Sequence, residues 1–339
     1  MEPVGQLWAI VLAAGEGTRL AGLTTALYGK PLPKQFAVLA GERSLLQETL
    51  VRIAPLVPAE RTLVVVDATQ VDHARRQLAP FHGVDLVIQP RNLGTGPGIL
   101  LPLARLRARD PEARVAILPA DHHLANPQPF LSALEQASSP ARGRLAPVVL
   151  VGAEPTDAES EYGWIVPGRR VPGGAGFRAV RRFIEKPGRE VAERLQRRGA
   201  LWNTFVLVGP VASLWRLCLR HLPAQTRAFS LHAHHVGSWV EGPLLEVIYR
   251  HLPSADFSRT VLERSRELVV AAVADSGWSD WGSAARVLSS LDGTNAGAHL
   301  RERLVAAGAE APTSETAHPR RMAPPAPASI TRSHPRNHS

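Results

Sequence analysis

Along the first 150 residues, apolar and polar positions alternate between two rhythms. "LWAIVLAAG" (7–15) is a continuous apolar run ending in glycine and predicts a buried strand. "SLLQETLVRIAPLV" (44–57) predicts a helix, with Ser44 placed to cap it and Gln47 three residues later to complete a capping box. The rotation then repeats: strand at 62–68, helix at 69–81, strand at 84–90, helix at 97–110, strand at 113–121. Strand and helix in strict turn predict a mostly parallel sheet flanked by helices, an α/β fold. From residue 150 onward the rhythm loosens. "APVVLVGAEP", "YGWIVPG", "FRAVRRFIEKP" and "LWNTFVLVG" read as strands, with helices near 188–198, 210–221, 241–250 and 281–291. This second half extends the same sheet and covers its edge, so the expectation is one domain over 1–295, with halves at about 1–150 and 151–295. After about residue 311 the chain is rich in Pro, Ser and Arg without an apolar period, which predicts a disordered tail over 311–339.

Composition narrows the function classes. No apolar run is long enough to span a bilayer, and the start lacks the basic region of a secretory leader, so no membrane partner is expected. Cys218 is the single cysteine and sits in an amphipathic helical pattern, which fits a packed side chain in a reducing, cytoplasmic compartment. The formal charge of +9 suits anionic ligands, but scattered arginines and 5% aromatics argue against a nucleic-acid surface. A GC-rich coding sequence would equally produce this abundance of Arg, Ala, Gly and Pro.

Ligands of such sheets bind beyond the carboxyl ends of the strands. Three of those ends carry "AAGEGTR", "QPRNLGTGPG" and "PADHH". Gly15 and Gly17 let the backbone approach a phosphate or a base, and Arg19 follows to grip a pyrophosphate. Leu20 occupies the place of the third glycine of a dinucleotide fingerprint, and no P-loop sequence is present. Lys34 lies in a proline-stiffened loop. Asp121 closes an apolar strand and Asp280 stands alone in "GWSDWGS"; two such carboxylates suit a shared Mg²⁺. The histidines at 122, 123, 232, 234 and 235 have no matching partner motif, and no zinc is assigned.

In order, "LAAGEGTRL", "PKQF", "QPRNLGTGPGI", "LPADH", "EYGWI", "FIEKP", "LWNTF" and "WSDWGS" resemble the sugar-1-phosphate nucleotidyltransferases, most closely the mannose-1-phosphate guanylyltransferases. The resemblance spans about residues 6–290. It implies a Rossmann-like (GT-A-like) nucleotidyltransferase fold and transfer of a nucleoside monophosphate from an NTP, first of all GTP, to a sugar 1-phosphate such as mannose 1-phosphate. Carried over, Leu12, Ala13, Ala14, Gly15, Gly17 and Thr18 would hold the nucleotide, with Gln89, Asn92, Gly94 and Thr95 near its base. Arg19 and Lys34 would neutralise the triphosphate, and Asp121 and Asp280 would hold Mg²⁺. Gly163, Glu185 and Asn203 would meet sugar hydroxyls, and Lys186 the sugar phosphate. The chain departs from the family at "RNLGTGPG" (usually GRNTAPA) and "WNTF" (usually WNSG). The loop from Arg19 to Lys34 is a few residues longer, and the fused isomerase domain of longer family members is not expected here. Two other readings compete: a catalytically silent nucleotide-sugar-binding regulatory homologue, and a glycosyltransferase. The first would have lost Arg19, Asp121 or Asp280, and the second would carry a D-x-D motif where this chain has "ADHH". The oligomeric state is left open, a homodimer being one option.

One compositional detail bears on Lys186. Of 39 basic residues only Lys30, Lys34 and Lys186 are lysine. Chance could leave a lysine anywhere, but a compact ammonium fits a crowded phosphate pocket where a planar guanidinium does not, which predicts that Lys186→Arg weakens sugar-phosphate use.

Overall fold

The computed structural model describes residues 6–139, 146–172 and 176–308. The predicted tail at 311–339 lies outside the described residues. Four strands of the first half lie side by side and parallel: β1 (Leu7–Leu12), β2 (Thr62–Asp67), β3 (Asp85–Gln89) and β4 (Arg114–Pro119). Helices α1 (Ala21–Tyr28), α2 (Leu45–Ile53), α3 (Val71–Leu78) and α4 (Thr95–Arg109) connect them. The capping box of α2 forms as its sequence predicts, with Ser44 Oγ accepting from Gln47 N and Gln47 Oε1 accepting from Ser44 N.

The second half adds β5 (His123–Leu124), α5 (Gln128–Ser138), β6 (Val149–Ala153), β7 (Gly163–Arg170) and β8 (Arg178–Glu185). It continues with α6 (Arg189–Arg197), β9 (Leu201–Pro210), α7 (Val211–His221), α8 (Pro223–Ala233), α9 (Glu241–His251), β10 (Val269–Val273), β11 (Trp278–Ser279), α10 (Ala284–Ser290) and α11 (Asn295–Ala306). One nine-stranded sheet runs through both halves in the order β3-β2-β1-β4-β9-β6-β10-β8-β7. Only β8 and β9 run against the other strands, so the sheet is mixed and mostly parallel. A small ribbon of β5 and β11 stands apart from it.

β1 is apolar along its whole length because both of its faces are covered. Trp8 and Ile10 pack with α4 and α7 on one side, and Ala9 and Val11 with α2 and α5 on the other. A third cluster joins Leu20 and Leu23 to Trp281, Leu288, Leu300 and Leu304, so apolar packing continues past residue 295 into α11. Among the described residues no helix is long and apolar enough to cross a membrane.

β9 sets the geometry of the site. β6 occupies one edge of it; the other edge meets β4 from Leu207 to Pro210 and β7 at Leu201 and Trp202. Between those contacts, among the described residues, no strand flanks the edge from Asn203 to Val206. The pairing with β6 jumps from Val151–Val206 to Gly152–Asn203, which leaves Thr204 and Phe205 as a two-residue bulge. Thr204 Oγ1 bonds to Val151 O at 2.7 Å and holds that bulge in place.

Candidate active site

A cleft of about 250 Å³ opens where β1, β3 and β4 end and β9 bulges. Leu12, Ala14, Gly15, Gln89, Asn92, Gly94, Thr95, Asp121 and Phe205 line it. Its loop walls are fixed from behind. Gln35 Nε2 donates to Ala13 O at 2.6 Å and to Gly15 O at 2.8 Å, and Gln70 Nε2 donates to Gly15 O at 2.9 Å. Gly17 has φ +64° and a Cβ there would meet Lys34 N at 2.5 Å, so only glycine fits where the two loops cross. Across the cleft, residues 92–96 are clamped to the segment after α9. Ala255 N donates to Leu93 O, Gly96 N to Ala255 O, and Phe257 N to Thr95 Oγ1, each at 2.8–2.9 Å. Asn92 Oδ1 accepts from Gly94 N at 2.8 Å, and Gln89 Oε1 faces Tyr249 Oη at 3.4 Å.

Next to this cleft and sharing Asp121 with it lies a smaller hollow of about 150 Å³, lined by Gly17, Thr18, Arg19, Leu20, Lys34, Trp281 and Gly282. Here the charges gather. Lys34 is only 5% exposed; its Nζ sits 2.9 Å from Asp121 Oδ2 and donates to the carbonyl of Asp280. Burial pushes the Asp121 carboxyl up most strongly, but the charge and hydrogen bond of Lys34, with His122 and a backbone hydrogen bond, together outweigh it and hold the group below the usual carboxylate range. Asp280 Oδ1 accepts from Tyr162 Oη at 2.7 Å, Gly282 N at 2.8 Å and Arg286 Nη1 at 3.3 Å. Its Oδ2 pairs with Arg19 Nη2 at 3.1 Å. A Cβ on Gly282 would stand 2.6 Å from Asp280 Oδ2 and 2.8 Å from Arg19 Nη1, so a side chain there would push against this ion pair.

These two aspartates offer a donor set that fits Mg²⁺: hard carboxylate oxygens, with phosphate and water left to complete the shell. Asp280 Oδ2 carries one contact against three on Oδ1, so Oδ2 is the oxygen with room for a cation. Among the described residues no three His, Cys, Asp or Glu side chains converge as a transition-metal site would need. His122 takes a hydrogen bond from Trp278 Nε1 at 3.2 Å on Nδ1, and burial pushes it down to about 4, so it stays neutral beside Asp121. His123 stacks on Trp281 with centroids 4.3 Å apart.

The residues expected at the sugar end come together in part. Gly163 opposes Glu185 across β7 and β8. A Cβ on Gly163 would stand 2.7 Å from Glu185 Oε2 and 3.3 Å from Asn203 Cβ, so these three form one corner. Burial, then the neighbouring Asp256, pushes the Glu185 carboxyl up to about 7. Lys186 follows in a left-handed turn (φ +47°), exposed, with its N–H bonded to Tyr162 O. Asn203 is turned inward: its Oδ1 accepts from Phe205 N at 3.2 Å.

Sequence reasoning passed over Gln35, Gln70, Tyr162, Arg286 and Glu159. Tyr162 was within reach, since it opens the "YGWI" motif and a tyrosine at a site needs a hydroxyl partner. Its hydroxyl, pushed up by burial and by Asp280, stays protonated as a donor. Arg286 comes from α10, pairs with Glu159, and lies 4.8 Å above the Tyr162 ring. Nothing local in "SAARVLSS" distinguishes it.

The chain is similar to known proteins over most of its length. Residues 8–225 match the family described as nucleotidyl transferase. Mannose-1-phosphate guanylyltransferase 2 of Escherichia coli O157:H7 is 30% identical over 296 residues, 81% of this chain and 58% of that protein. The xanthan biosynthesis protein XanB of Xanthomonas campestris pv. campestris (strain B100) is 30% identical over 299 residues, 84% and 60% respectively. The chain thus spans about three-fifths of the length of these curated relatives. A crystal structure described as mannose-1-phosphate geranyltransferase from Thermus thermophilus superposes with a TM-score of 0.73 at 30% identity, covering 85% of this chain and 79% of that one. An apo UDP-glucose pyrophosphorylase, at 15% identity and a TM-score of 0.54, shares the fold. From the match over most of the strand-bearing chain and the superposition of 85% of it on a relative 30% identical, the protein belongs to the sugar-1-phosphate nucleotidyltransferases of the nucleotidyl transferase family.

Proposed function

We propose that the cleft transfers a nucleoside monophosphate from an NTP to a sugar 1-phosphate, releasing pyrophosphate, with GTP and mannose 1-phosphate as the first pair to try. The observation that carries this reading is the alternation of Arg19, Asp280, Lys34 and Asp121 at the junction of the nucleotide cleft and the Gly163–Glu185–Asn203 corner. Two cations and two carboxylates hold each other near neutrality before substrate arrives. A triphosphate then offers Arg19, which is half exposed, a better partner than Asp280, and frees Asp280 Oδ2.

The chemistry needs little more. An oxygen of the sugar phosphate attacks the α-phosphorus in line, and the bond to pyrophosphate breaks on the opposite side. The nucleophile is already anionic, so no general base is required, and charge neutralisation and positioning supply the rate. Arg19 and Lys34 meet the charge that builds on the departing pyrophosphate. Asp121 and Asp280 would hold Mg²⁺, which supplies charge withdrawal from the phosphate oxygens when bound. The Glu185 corner orients the sugar, and Lys186 meets its phosphate. The two pinned loops, 13–17 and 92–96, hold the nucleotide.

Phosphorus NMR of a reaction with GTP, mannose 1-phosphate and Mg²⁺ tests the reading. The expected spectrum gains a coupled pair of diphosphate signals and pyrophosphate together. Growth of GMP or of free phosphate alone would refute nucleotidyl transfer. Binding of nucleotide sugar without turnover of any pair would favour the regulatory reading.

A further inference from the structure

Phe205 combines three features that ordinary packing does not explain. It is the one residue of β9 that is not buried. Its backbone is left-handed (φ +55°), a conformation disfavoured for any residue with a Cβ, and such outliers persist only where the surroundings enforce them. Its ring lines the nucleotide cleft beside Leu12, Pro119 and Asp121. A partly exposed apolar ring on a strained backbone is unfavourable on both counts, and a glycine there would avoid both costs.

The neighbourhood fixes where the ring stands. The bulge after Asn203 pushes it out of the sheet, and Asn203 Oδ1 holds the Phe205 N–H at 3.2 Å. Phe257 packs edge-on against the ring, with centroids 6.4 Å apart at 84°, and is itself tied to Thr95. The ring thus lines the cleft that Asp121 also lines, and its backbone is held by Asn203, a member of the Gly163–Glu185–Asn203 corner. We propose that Phe205 is the acceptor-specificity residue: its ring is the apolar wall against which the sugar of the incoming 1-phosphate rests. It admits sugars that turn a face of C–H bonds toward it. It excludes those that would bring a hydroxyl or an acylamino group there, because the phenyl ring offers that group no hydrogen bond and takes its space. This inference rests on the proposed reaction.

The test compares wild type with Phe205→Gly and Phe205→Leu on mannose, glucose, galactose and N-acetylglucosamine 1-phosphates, at fixed NTP and Mg²⁺. With Phe205→Gly, kcat/KM should fall at least tenfold for the best wild-type sugar and rise at least tenfold for an excluded one. Phe205→Leu should keep the wild-type ranking, and a change in NTP KM larger than the changes among the sugars would set the ring against the nucleotide and overturn the proposal. Since glycine suits φ +55°, the melting midpoint of Phe205→Gly should hold within a few degrees. If every sugar changes by the same factor, Phe205 is structural and the proposal fails. If wild type turns over no pair, the reaction itself is refuted, and the same panel is read as stabilisation of the protein by each sugar phosphate. An identical ranking in wild type and Phe205→Gly then overturns the specificity role, and an altered ranking supports it.

Discussion

Asp280 is held by Tyr162, the Gly282 amide, Arg286 and Arg19, and its own carbonyl anchors Lys34. So many partners on one carboxylate mean that its charge and its position are both needed. Asp280→Asn should lower turnover by at least a hundredfold, while the melting midpoint drops only a few degrees, because Arg286 retains Glu159. Lys186→Arg keeps the charge but changes its shape, so the sugar-phosphate KM should rise at least tenfold with the NTP KM nearly unchanged. Glu185 gives a pH signature. Its folded-state pKa of about 7 lies above its ordinary 4.5, so ionisation penalises the folded protein and stability is lost as pH rises through that window. Glu185→Gln should therefore gain roughly 1–2 kcal/mol on wild type between pH 5 and pH 8, after discounting for solvent at a partly open site, as urea melts would show. At this scale the sequence announces residues that sit in dense local motifs, such as Asp280 in "WSDWGS". It is silent about Arg286 and Gln70, whose roles exist only once distant segments meet.

At the scale of elements, the nucleotide walls are two loops pinned from outside the cleft. Gln35 spans two carbonyls of the 13–17 loop, and Gln35→Ala should raise the Kd for NTP about tenfold with a smaller effect on the sugar phosphate. Gly17→Ala forces a Cβ onto the Lys34 amide at positive φ and should cost about 2 kcal/mol or more in urea unfolding. Strands β1 to β4 and helices α2 to α4 were legible because the strands are apolar runs and the helices carry apolar residues at helical spacing. Most boundaries moved inward by one to four residues, as at β1, which stops at Leu12 rather than residue 15, whereas α4 starts at Thr95, two residues earlier than expected. Helices α1, α5, α8 and α11 were not foreseen. α1 reads "AGLTTALY", two threonines and a glycine with no polar face, and gains its helix from packing in the third apolar cluster. The order of β6 to β10 was also hidden, because non-local pairing leaves no periodic trace in the chain.

At the scale of the molecule, one sheet carries both halves and the site lies where β9 reverses the strand direction. In the proposed reading the loops at 13–17 and 92–96, from the parallel side, hold the nucleotide, and the Gly163–Glu185–Asn203 corner, from the far side, holds the sugar. A chain with 39 basic and 30 acidic residues, whose lysine at position 34 is buried beside Asp121, fits the anionic substrates of the proposed reaction. The central claim is that the two parts of the cleft work on two substrates at once. Pyrophosphate release measured over four NTPs and several sugar 1-phosphates, with Mg²⁺, tests it most directly. The account predicts release that requires both substrates and the metal ion, strongest for one NTP and one sugar phosphate, and lost in Asp280→Asn. Release from NTP alone, or none from any pair by folded protein, would contradict it.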